Sequence, residues 1–430
     1  MRSSIRRLER QPEDQLHPGL TRFRRVLKTL GNPEQALQVV HVAGTNGKGS
    51  VCALLESVLR QAGYRVGLYT SPHLIRLEER IQINRASIST THLDQTLSHV
   101  FQAERRAGTA LSYFERITAA AFLYFKSQHP DVVILETGMG GRWDATNVLP
   151  HPLACVITPI ALDHTRWLGN TLSKIADEKA GIFKMGTPVL TTATAPAALR
   201  VLHQAAQHQR TVLWSSPRDF EGTAESVNWK KGEMRVSIRS HAASWRDFAI
   251  SMMGRHQAQN ASLAVSALEA LRPFFPWTNN DLRIGLHQAK WPGRWELLAR
   301  FAGRKVLYAD GAHNPQGIEA LIQTLESSPW SRSQRTLWFT CFEDKDIDSM
   351  ARRLAVVFSR VVIQSMRGNR FASIIRIRRA FQKAGSPIQI YTTESIAEGK
   401  RQAVEITSAP GAVIAAGSLR WVGILKEHLQ

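Results

Sequence analysis

The sequence predicts an α/β protein in which short buried strands alternate with helices along most of its 430 residues. Three observations support this fold class. Continuous apolar runs recur, as at residues 131–135 and 154–160, and such runs are typical of strands buried on both faces. Segments with one apolar side, such as residues 114–125, separate these runs and predict helices. Strands that are joined through helices lie parallel, so the pattern indicates parallel sheets with right-handed crossovers.

The first strand-to-helix connection is a candidate phosphate site. An apolar run predicts a strand over residues 36–42, and a helix follows that stops at Gly63. Residues 44–50 between them read GTNGKGS, and a glycine-rich turn of this kind directs backbone N–H groups and the positive helix end at one point. Lys48 adds a point charge, and Ser50 adds a hydroxyl for a phosphate-bound metal. Val42 replaces the first glycine of the strict Walker A pattern, so a tight turn with a surface lysine is the alternative.

Four candidate ligand-binding residues each follow the end of a different predicted strand. Gly47 follows the first strand, Ser71 follows a strand at residues 65–69, and Glu136 and His164 follow the runs named above. Because ligands gather at the carboxyl ends of parallel strands, we expect these residues to converge on the phosphate loop. Such a set favours Mg²⁺, a hard cation that takes oxygen ligands and bridging phosphates. Taken singly, Glu136 is also explained as a solvated carboxylate or a helix cap, and His164 as a surface residue.

Lys179 falls on the apolar side of a predicted helix. Thr171 is placed to cap this helix, which is expected to run to about Met185. Its apolar positions are Leu172, Ile175, Ala176 and Phe183. One interpretation is a lysine whose ammonium group reaches water past the apolar surface. The other is a partly buried amine with a lowered pKa that is neutral enough to react.

The remaining half of the chain predicts a second α/β domain. A hairpin is expected around residues 230–232 and a long helix over residues 254–271. Proline and glycine in residues 291–294 (WPGR) then mark a boundary, which divides the chain into residues 1–290 and 291–430. Further strands are expected at residues 305–309, 336–341, 361–364, 388–391 and 412–416. Pro315 is suited to the first turn of a helix after the first of these strands.

Composition limits the possible classes of protein. No apolar run approaches the roughly 18 residues that a membrane span needs, and the N-terminus resembles no secretory signal. Cys52, Cys155 and Cys341 are far apart and lack metal-ligand spacing, as expected of core residues in a reduced compartment. The net charge of +20 indicates anionic partners, either nucleotides and polycarboxylates or nucleic acid. No zinc finger, helix-turn-helix or aromatic RNA-binding pattern accompanies the charge, which disfavours nucleic acid as the main ligand.

Eight ordered motifs resemble the folylpolyglutamate synthase/dihydrofolate synthase family of the Mur ligase superfamily, from about residue 15 to the C-terminus. They are residues 44–50 (GTNGKGS), 70–74 (TSPHL), 136–147 (ETGMGGRWDATN), 162–169 (LDHTRWLG), 178–182 (EKAGI), 254–257 (GRHQ), 291–294 (WPGR) and 310–315 (DGAHNP). The resemblance implies a P-loop-type ATP-binding domain on a parallel sheet, followed by a smaller Rossmann-like ligase domain. It implies ATP-dependent ligation of L-glutamate to dihydropteroate, or to the γ-carboxyl of a folate, through an acyl phosphate.

The same resemblance implies a function for individual residues. The ATP ligands would be Gly47, Lys48, Gly49, Ser50, Val51, Asn260, Arg294 and Asp310, with His313 beside them. The Mg²⁺ ligands would be Ser71, Glu136 and His164, and Lys179 would be carbamylated to hold a second Mg²⁺. Lys48, Glu136, His164 and Lys179 would therefore be the catalytic set. The pterin pocket would be formed by Ser112, Asp144, Ala145 and Thr146. The expected setting is a cytoplasmic monomer that uses small molecules, away from membranes and nucleic acid.

Some positions depart from the family pattern. Arg85 stands where the family usually has glycine, Arg420 stands where tyrosine is common, and residues 16–19 (LHPG) differ from the expected pterin loop. A Mur-type ligase acting on another carboxylate is therefore one alternative, and a basic nucleic-acid-binding protein on a ligase fold is another. Residues 349–393 contain nine Arg and Lys residues and no Asp or Glu. This span is either a solvated surface or a patch that attracts polyglutamylated folate.

Overall fold

A computed structural model of the chain describes residues 3–11, 19–368 and 370–429. Most of the segment at residues 16–19, where the sequence departs from the family pattern, lies outside these described residues. Gly19 alone of that segment is described. None of the helices in the described ranges is long and apolar enough to cross a membrane.

The largest sheet has eight strands in the order β4-β3-β2-β5-β1-β6-β7-β8. The six strands from β2 to β8 in that order are parallel, and β3 and β4 add an antiparallel edge. The strands are β1 (Val39–Ala43), β2 (Val66–Tyr69), β3 (Ile81–Ile83), β4 (Ala86–Ser87), β5 (Val132–Glu136), β6 (Ala154–Ile157), β7 (Val189–Thr191) and β8 (Leu213–Ser215). The prediction of a parallel sheet is thereby confirmed, since the central strands are buried along their whole length.

A small antiparallel sheet follows in the chain. It consists of β9 (Glu221–Asn228), β10 (Glu233–Arg239) and β11 (Ser244–Ile250) in the order β11-β10-β9. The hairpin predicted around residues 230–232 connects β9 to β10, where Gly232 has a positive φ of 71°. The apolar side chains of β10 pack into the same core as the apolar face of the large sheet.

The third sheet has the order β12-β13-β17-β14-β15-β16. Its strands are β12 (Glu296–Phe301), β13 (Lys305–Ala309), β14 (Arg335–Phe339), β15 (Arg360–Gln364), β16 (Gln389–Thr393) and β17 (Gly411–Ala416). All neighbours pair in parallel except β12, an antiparallel edge strand that the sequence analysis did not predict. Its side chains are only partly buried, so it lacks the continuous apolar run that indicated the other strands.

Fifteen helices cover the sheets in the described residues. They are α1 (Ser3–Glu9), α2 (Thr21–Thr29), α3 (Lys48–Gln61), α4 (Thr90–Ala107), α5 (Tyr113–Gln128), α6 (Thr165–Leu168), α7 (Leu172–Ala180), α8 (Pro196–His208), α9 (Arg255–Leu271), α10 (Asn279–Gln288), α11 (Pro315–Glu326), α12 (Ile347–Val357), α13 (Ile374–Gln382), α14 (Ile396–Ile406) and α15 (Leu419–Leu429). Helix α9 confirms the long helix that was predicted from residue 254 to 271. Pro315 occupies the first turn of α11, as predicted.

Several predicted boundaries differ from the structure by three residues or more. The strand predicted to residue 160 ends at Ile157, and the helix predicted to residue 125 runs to Gln128. The first strand begins at Val39 instead of residue 36, because Pro33–Ala36 forms a 3₁₀ turn and the next two side chains are not buried. Helix α7 ends at Ala180 instead of about Met185. Gly181 follows the helix and packs so closely against Arg142 that a Cβ atom there would lie 2.5 Å from the Arg142 Cα atom, which leaves room only for glycine.

His41 is a buried imidazole in the middle of β1. Its Nε2 atom lies 2.8 Å from the Thr146 hydroxyl, while its Nδ1 atom is buried without a hydrogen-bond partner. Burial, helped by the positive charge of Lys184, lowers the pKa of His41 to about 3. The folded protein therefore keeps this ring neutral at a pH where the unfolded chain takes up a proton.

We expect this difference to make the protein acid-sensitive. Since the unfolded histidine binds a proton near pH 6.5 and the folded one only near pH 3, stability should decrease as pH falls through this window. The slope from one such group is up to about 1.4 kcal/mol per pH unit. Urea unfolding at pH 7 and pH 5 measures it. The His41→Gln variant should lose about 2 kcal/mol less than wild type between these values. An equal loss in both proteins would contradict the account, and His208→Gln, at an exposed position, is the control.

Candidate active site

The phosphate loop lies between the end of β1 and the start of α3, and neighbouring atoms crowd it. A Cβ atom on Gly44 would lie 1.8 Å from the Thr158 Oγ1 atom, and one on Gly49 would lie 2.5 Å from the Trp291 ring. Gly47 has a positive φ of 91° and directly precedes α3, so only glycine suits the turn. The loop therefore brings the first backbone N–H groups of α3 to the carboxyl edge of the sheet, where an anion can approach them closely.

Lys48 and Glu136 lie together at this edge. The Lys48 ammonium group is 4.0 Å from the Glu136 Oε1 atom and donates to the Gly44 and Thr45 carbonyls, at 3.2 Å each. The Ser71 backbone N–H donates to the Glu136 Oε2 atom at 3.2 Å. Burial raises the pKa of Glu136 to about 7, although the Lys48 charge and the Ser71 hydrogen bond oppose the shift. The structure thus brings together three of the predicted residues from three different strand ends.

Lys179 comes to the same loop from α7. Its side chain is buried, and its ammonium group donates to the Gly44 carbonyl at 2.7 Å. Burial, and secondly the positive charge of Lys48, lower the pKa of Lys179 to about 7. This agrees with the interpretation of a buried amine and not with that of a lysine reaching water. At neutral pH about half of such an amine is unprotonated.

His164 is less enclosed than the other predicted residues. It directly precedes the short helix α6 with a left-handed backbone (φ 50°), and its side chain contacts solvent. Surrounding protein nevertheless lowers the pKa of His164 to about 4, an effect that Asp163 opposes and that the Lys345 and Lys48 charges reinforce. The imidazole is therefore neutral at physiological pH and able to donate a lone pair.

Asp163, beside His164, joins the two large sheets. Its carboxylate accepts hydrogen bonds from Lys345 at 3.0 Å and from the Asn314 amide at 2.9 Å, and it lies 3.7 Å from the His313 Nε2 atom. Although burial opposes ionisation, the contacts with His313, His164 and Lys345 hold the pKa of Asp163 well below its usual range. The carboxylate is therefore charged and fixes the loop after β13 against the loop after β6.

A second polar contact closes the same side of the site. The Asn46 amide in the phosphate loop donates to the Asn314 side chain at 3.2 Å and to Gln316 at 2.7 Å. Asn314 returns a hydrogen bond to Asn46 at 3.1 Å. His313 itself is held by a 2.7 Å contact between its Nδ1 atom and the Gly311 carbonyl. The loop of residues 310–315 therefore forms one wall of the space above the phosphate loop.

The other residues predicted to bind the nucleotide lie around this space. Asn260 approaches the phosphate loop so closely that a Cβ atom on Gly47 would be 2.7 Å from its Oδ1 atom. The Asp310 carboxylate accepts from the backbone N–H groups of Trp295 and Ala312, at 2.9 Å each. Asp310 thus also orders the connection that brings Arg294 to the site.

The residues predicted for the pterin pocket make mainly internal contacts. Ser112 caps α5, and its hydroxyl donates to Glu115 at 2.7 Å. The Asp144 carboxylate accepts hydrogen bonds from the Thr146 backbone N–H at 3.0 Å and from the Thr146 hydroxyl at 2.6 Å. Ala145 is the first residue of the 3₁₀ turn that Asp144 caps. These contacts account for the burial of Ser112, Asp144, Ala145 and Thr146 without a substrate, and the pocket assignment stays a prediction.

A further basic group near the site was not predicted. Arg80 is buried, and its Nε–H donates to the His73 Nδ1 atom at 3.0 Å. The Arg80 guanidinium also lies over the Tyr113 ring, 5.4 Å from its centroid. Burial first, and then the charges of Arg80 and Arg420, lower the pKa of His73 to about 3.

Sequence reasoning missed the contacts that join the two large sheets. Asp163 stands inside a recognised motif, but only His164 beside it was singled out. Lys345 had no signal at all, because its partner Asp163 is 182 positions away in the chain. Among the described residues, no three His, Cys, Asp or Glu side chains form a group that could hold a metal ion by themselves.

The chain matches known protein families along most of its length. The model of the Mur ligase middle domain matches residues 42–268, and the model of the Mur ligase glutamate ligase domain matches residues 293–419. The chain is 39% identical, over 355 residues and 79% of each chain, to the dihydrofolate synthase/folylpolyglutamate synthase of Bacillus subtilis. It is 32% identical to the Mycobacterium tuberculosis enzyme of the same name, over 93% of this chain and 84% of that one.

Solved structures give the same result. Mycobacterium tuberculosis folylpolyglutamate synthase complexed with ADP superposes with a TM-score of 0.90 at 28% identity, covering 99% of this chain and 97% of that chain. Escherichia coli FolC in complex with DHPP and ADP superposes with a TM-score of 0.88 at 29% identity, covering the same shares. The resemblance inferred from the motifs is confirmed: the chain belongs to the folylpolyglutamate synthase/dihydrofolate synthase family, ATP-dependent ligases built from Mur ligase domains.

Proposed function

We propose that this chain uses ATP to ligate L-glutamate to dihydropteroate, to the γ-carboxyl of a folate, or to both. The observation that supports this most directly is the grouping of Lys48, Glu136 and Lys179 around a glycine-rich phosphate loop. Relatives named dihydrofolate synthase/folylpolyglutamate synthase are 39% and 32% identical to this chain. A FolC structure bound to DHPP and ADP superposes along nearly the whole chain.

The proposed reaction has two steps. A carboxylate oxygen of the pterin substrate attacks the γ-phosphorus of ATP, which breaks the bond to ADP and forms an acyl phosphate. The amino group of L-glutamate then attacks the acyl carbon, loses a proton and expels inorganic phosphate as the amide forms. Lys48 and the N-terminal N–H groups of α3 suit the first step, because they stabilise phosphate charge that increases in the transition state.

The residues present fit Mg²⁺. Glu136 offers an oxygen, Oε1, whose nearest cationic neighbour is Lys48 at 4.0 Å, and the Ser71 backbone N–H donates to the other oxygen of the same carboxylate at 3.2 Å. Mg²⁺ in such sites takes few protein ligands and completes its shell with phosphate oxygens and water. Glu136, Ser71 and the neutral His164 would hold it, and the ion would neutralise charge on the transferred phosphoryl group.

Lys179 is proposed to become a carbamate. The neutral amine attacks CO₂ and releases one proton, which leaves a carboxylate on the side chain in place of a buried positive charge. This change adds oxygen ligands for a second Mg²⁺ close to the Gly44 carbonyl, where Lys179 already lies. It also removes the repulsion between two ammonium groups beside one loop.

Closure of the two parts of the chain excludes water from the acyl phosphate. We infer that residues 1–290 form the ATP-binding domain and residues 291–430 the ligase domain. Asp163 on the first part and Lys345 with Asn314 on the second provide contacts that hold the two together. In the closed arrangement Arg294, Asp310, Asn260 and His313 would surround the nucleotide.

The substrate and setting follow from the same proposal. Ser112, Asp144, Ala145 and Thr146 would line the pterin pocket, and the alternative of another Mur-type carboxylate substrate is decided by a substrate panel. The chain is proposed to act as a cytoplasmic monomer on ATP, L-glutamate and folates.

In the basic span of residues 349–393, Arg353 pairs with Glu319 and Arg376 with Asp348, both at 2.7 Å. These pairs neutralise part of the patch, and attraction of polyglutamylated folate to the rest stays a prediction.

The first test of this function is ADP release in the presence of ATP, Mg²⁺ and L-glutamate, with dihydropteroate and tetrahydrofolate supplied separately. We expect release with at least one of the two that depends on both the pterin and glutamate. Lys48→Ala should reduce kcat at least about 100-fold, because its charge acts mainly on the transition state. Retained turnover in a folded Lys48→Ala protein would refute the site. Lys230→Ala, at an exposed hairpin position, is the matched control.

The second test concerns carbamylation of Lys179. With ¹³C-bicarbonate near neutral pH, we expect a carbamate carbon signal in the NMR spectrum of the wild-type protein. Because the amine forms this group only when neutral, the signal should decrease as pH falls below about 7. It should be absent from Lys179→Ala and unchanged in Lys230→Ala. A spectrum identical in wild type and Lys179→Ala would rule the carbamate out.

A further inference from the structure

Arg420, which departs from the family pattern, faces the loop that carries His73. Arg420 lies in the first turn of α15, and Gly423 follows it three positions later on the same side of the helix. A Cβ atom on Gly423 would lie 1.9 Å from the Leu74 carbonyl oxygen, so this side of α15 is packed directly onto the loop after β2. Arg420 is therefore on the side of α15 that packs against residues of the loop carrying His73.

The surroundings of Arg80, His73 and Arg420 favour the binding of an anion. Arg80 donates through Nε to the His73 Nδ1 atom at 3.0 Å, which leaves the His73 Nε2 atom to bear the proton. Neighbouring carboxylates have other partners: Glu78 pairs with Arg76 at 3.5 Å, Glu79 accepts from the Leu74 N–H at 2.8 Å, and Glu296 pairs with Lys426 of α15 at 2.6 Å. Among the described residues, neither Arg80 nor Arg420 belongs to an ion pair, and the pairs near them are those of Glu78 and Glu296. Arg420 is exposed to solvent and free to reach a ligand.

The position of this group identifies which anion it would meet. Arg80 lies over the ring of Tyr113, the residue after the pterin-pocket candidate Ser112. His73 closely follows Ser71, whose N–H contacts Glu136 at the phosphorylation site. The Arg80–His73–Arg420 group therefore lies between the expected pterin end of the substrate and its reacting carboxyl. A folate carries a further carboxylate here, the α-carboxylate of its terminal glutamate, whereas dihydropteroate has none.

We propose that the Arg80–His73–Arg420 group binds the α-carboxylate of the terminal glutamate of a folate substrate, and that Arg420 favours folates over dihydropteroate. This inference rests on the proposed function. Two guanidinium groups and an imidazole N–H can together satisfy the oxygens of one carboxylate with charge-assisted hydrogen bonds. Because Arg420 is supplied by α15 after the boundary at residues 291–294, a bound glutamate would also link the two parts of the chain.

The test compares two substrates of the same enzyme. We expect Arg420→Gln to raise the ratio of KM for tetrahydrofolate to KM for dihydropteroate at least about 10-fold, the cost of losing one charged hydrogen bond. Arg420→Lys, which keeps the charge but loses the planar guanidinium group, should raise the ratio less than Arg420→Gln does. Arg401→Gln, at an exposed position on α14, should leave the ratio at the wild-type value. If the enzyme binds one of the two pterins without converting it, the dissociation constant of that pterin replaces its KM in the ratio.

Other outcomes separate this inference from the function beneath it. Turnover with an unchanged ratio in Arg420→Gln, or an equal rise in both KM values, would overturn the Arg420 assignment and leave the ligase function intact. A rise confined to the KM for ATP would likewise overturn it and would place Arg420 beside the nucleotide. Absence of ADP release by the wild-type protein with either pterin would contradict the proposed function itself.

Discussion

The burial of charged groups at one edge of the large sheet is the constraint on which the rest of the site depends. Glu136 and Lys179 are almost fully enclosed, and Lys48 is mostly enclosed, within reach of one glycine-rich loop. In water these groups would hold their charges easily. Here burial moves the pKa values of the carboxyl and of the Lys179 amine to about 7 from opposite sides. The free-energy cost of burying these groups is offset when phosphates, metal and CO₂ bind, because each of them restores a favourable charge arrangement.

The same constraint explains why the second part of the chain is needed. A low-dielectric site strengthens interactions with phosphate only while water stays out. Asp163, ionised by its contacts with Lys345, Asn314 and His313, holds the loop of residues 310–315 above the phosphate loop. Trp291 packs against Gly49 from the connection between the parts, and this contact leaves no room for a side chain there. Substrate binding and closure are therefore coupled through a few polar contacts and one aromatic ring.

Much of this arrangement was predictable from local pattern. Strand ends located Gly47, Ser71 and Glu136, and helical spacing placed Lys179 on a buried face, because both depend only on periodicity. Contacts such as Asp163 with Lys345 were not predictable, since they depend on how two separately folded sheets meet. β12 was missed because an edge strand that is half exposed has no continuous apolar run. Arg420 was noticed only as a departure, and the packing of its helix, α15, on the loop after β2 required the structure.

Isotope transfer would test the central claim, an acyl phosphate formed on the pterin carboxyl, most directly. The substrate carboxylate is labelled with ¹⁸O, and the inorganic phosphate released during turnover with ATP and L-glutamate is analysed by mass spectrometry. Because the oxygen that attacks the γ-phosphorus leaves with phosphate when the amine attacks carbon, the account predicts ¹⁸O-labelled phosphate in proportion to amide formed. Unlabelled phosphate, with the oxygen displaced from the carboxyl released as labelled water, would contradict it.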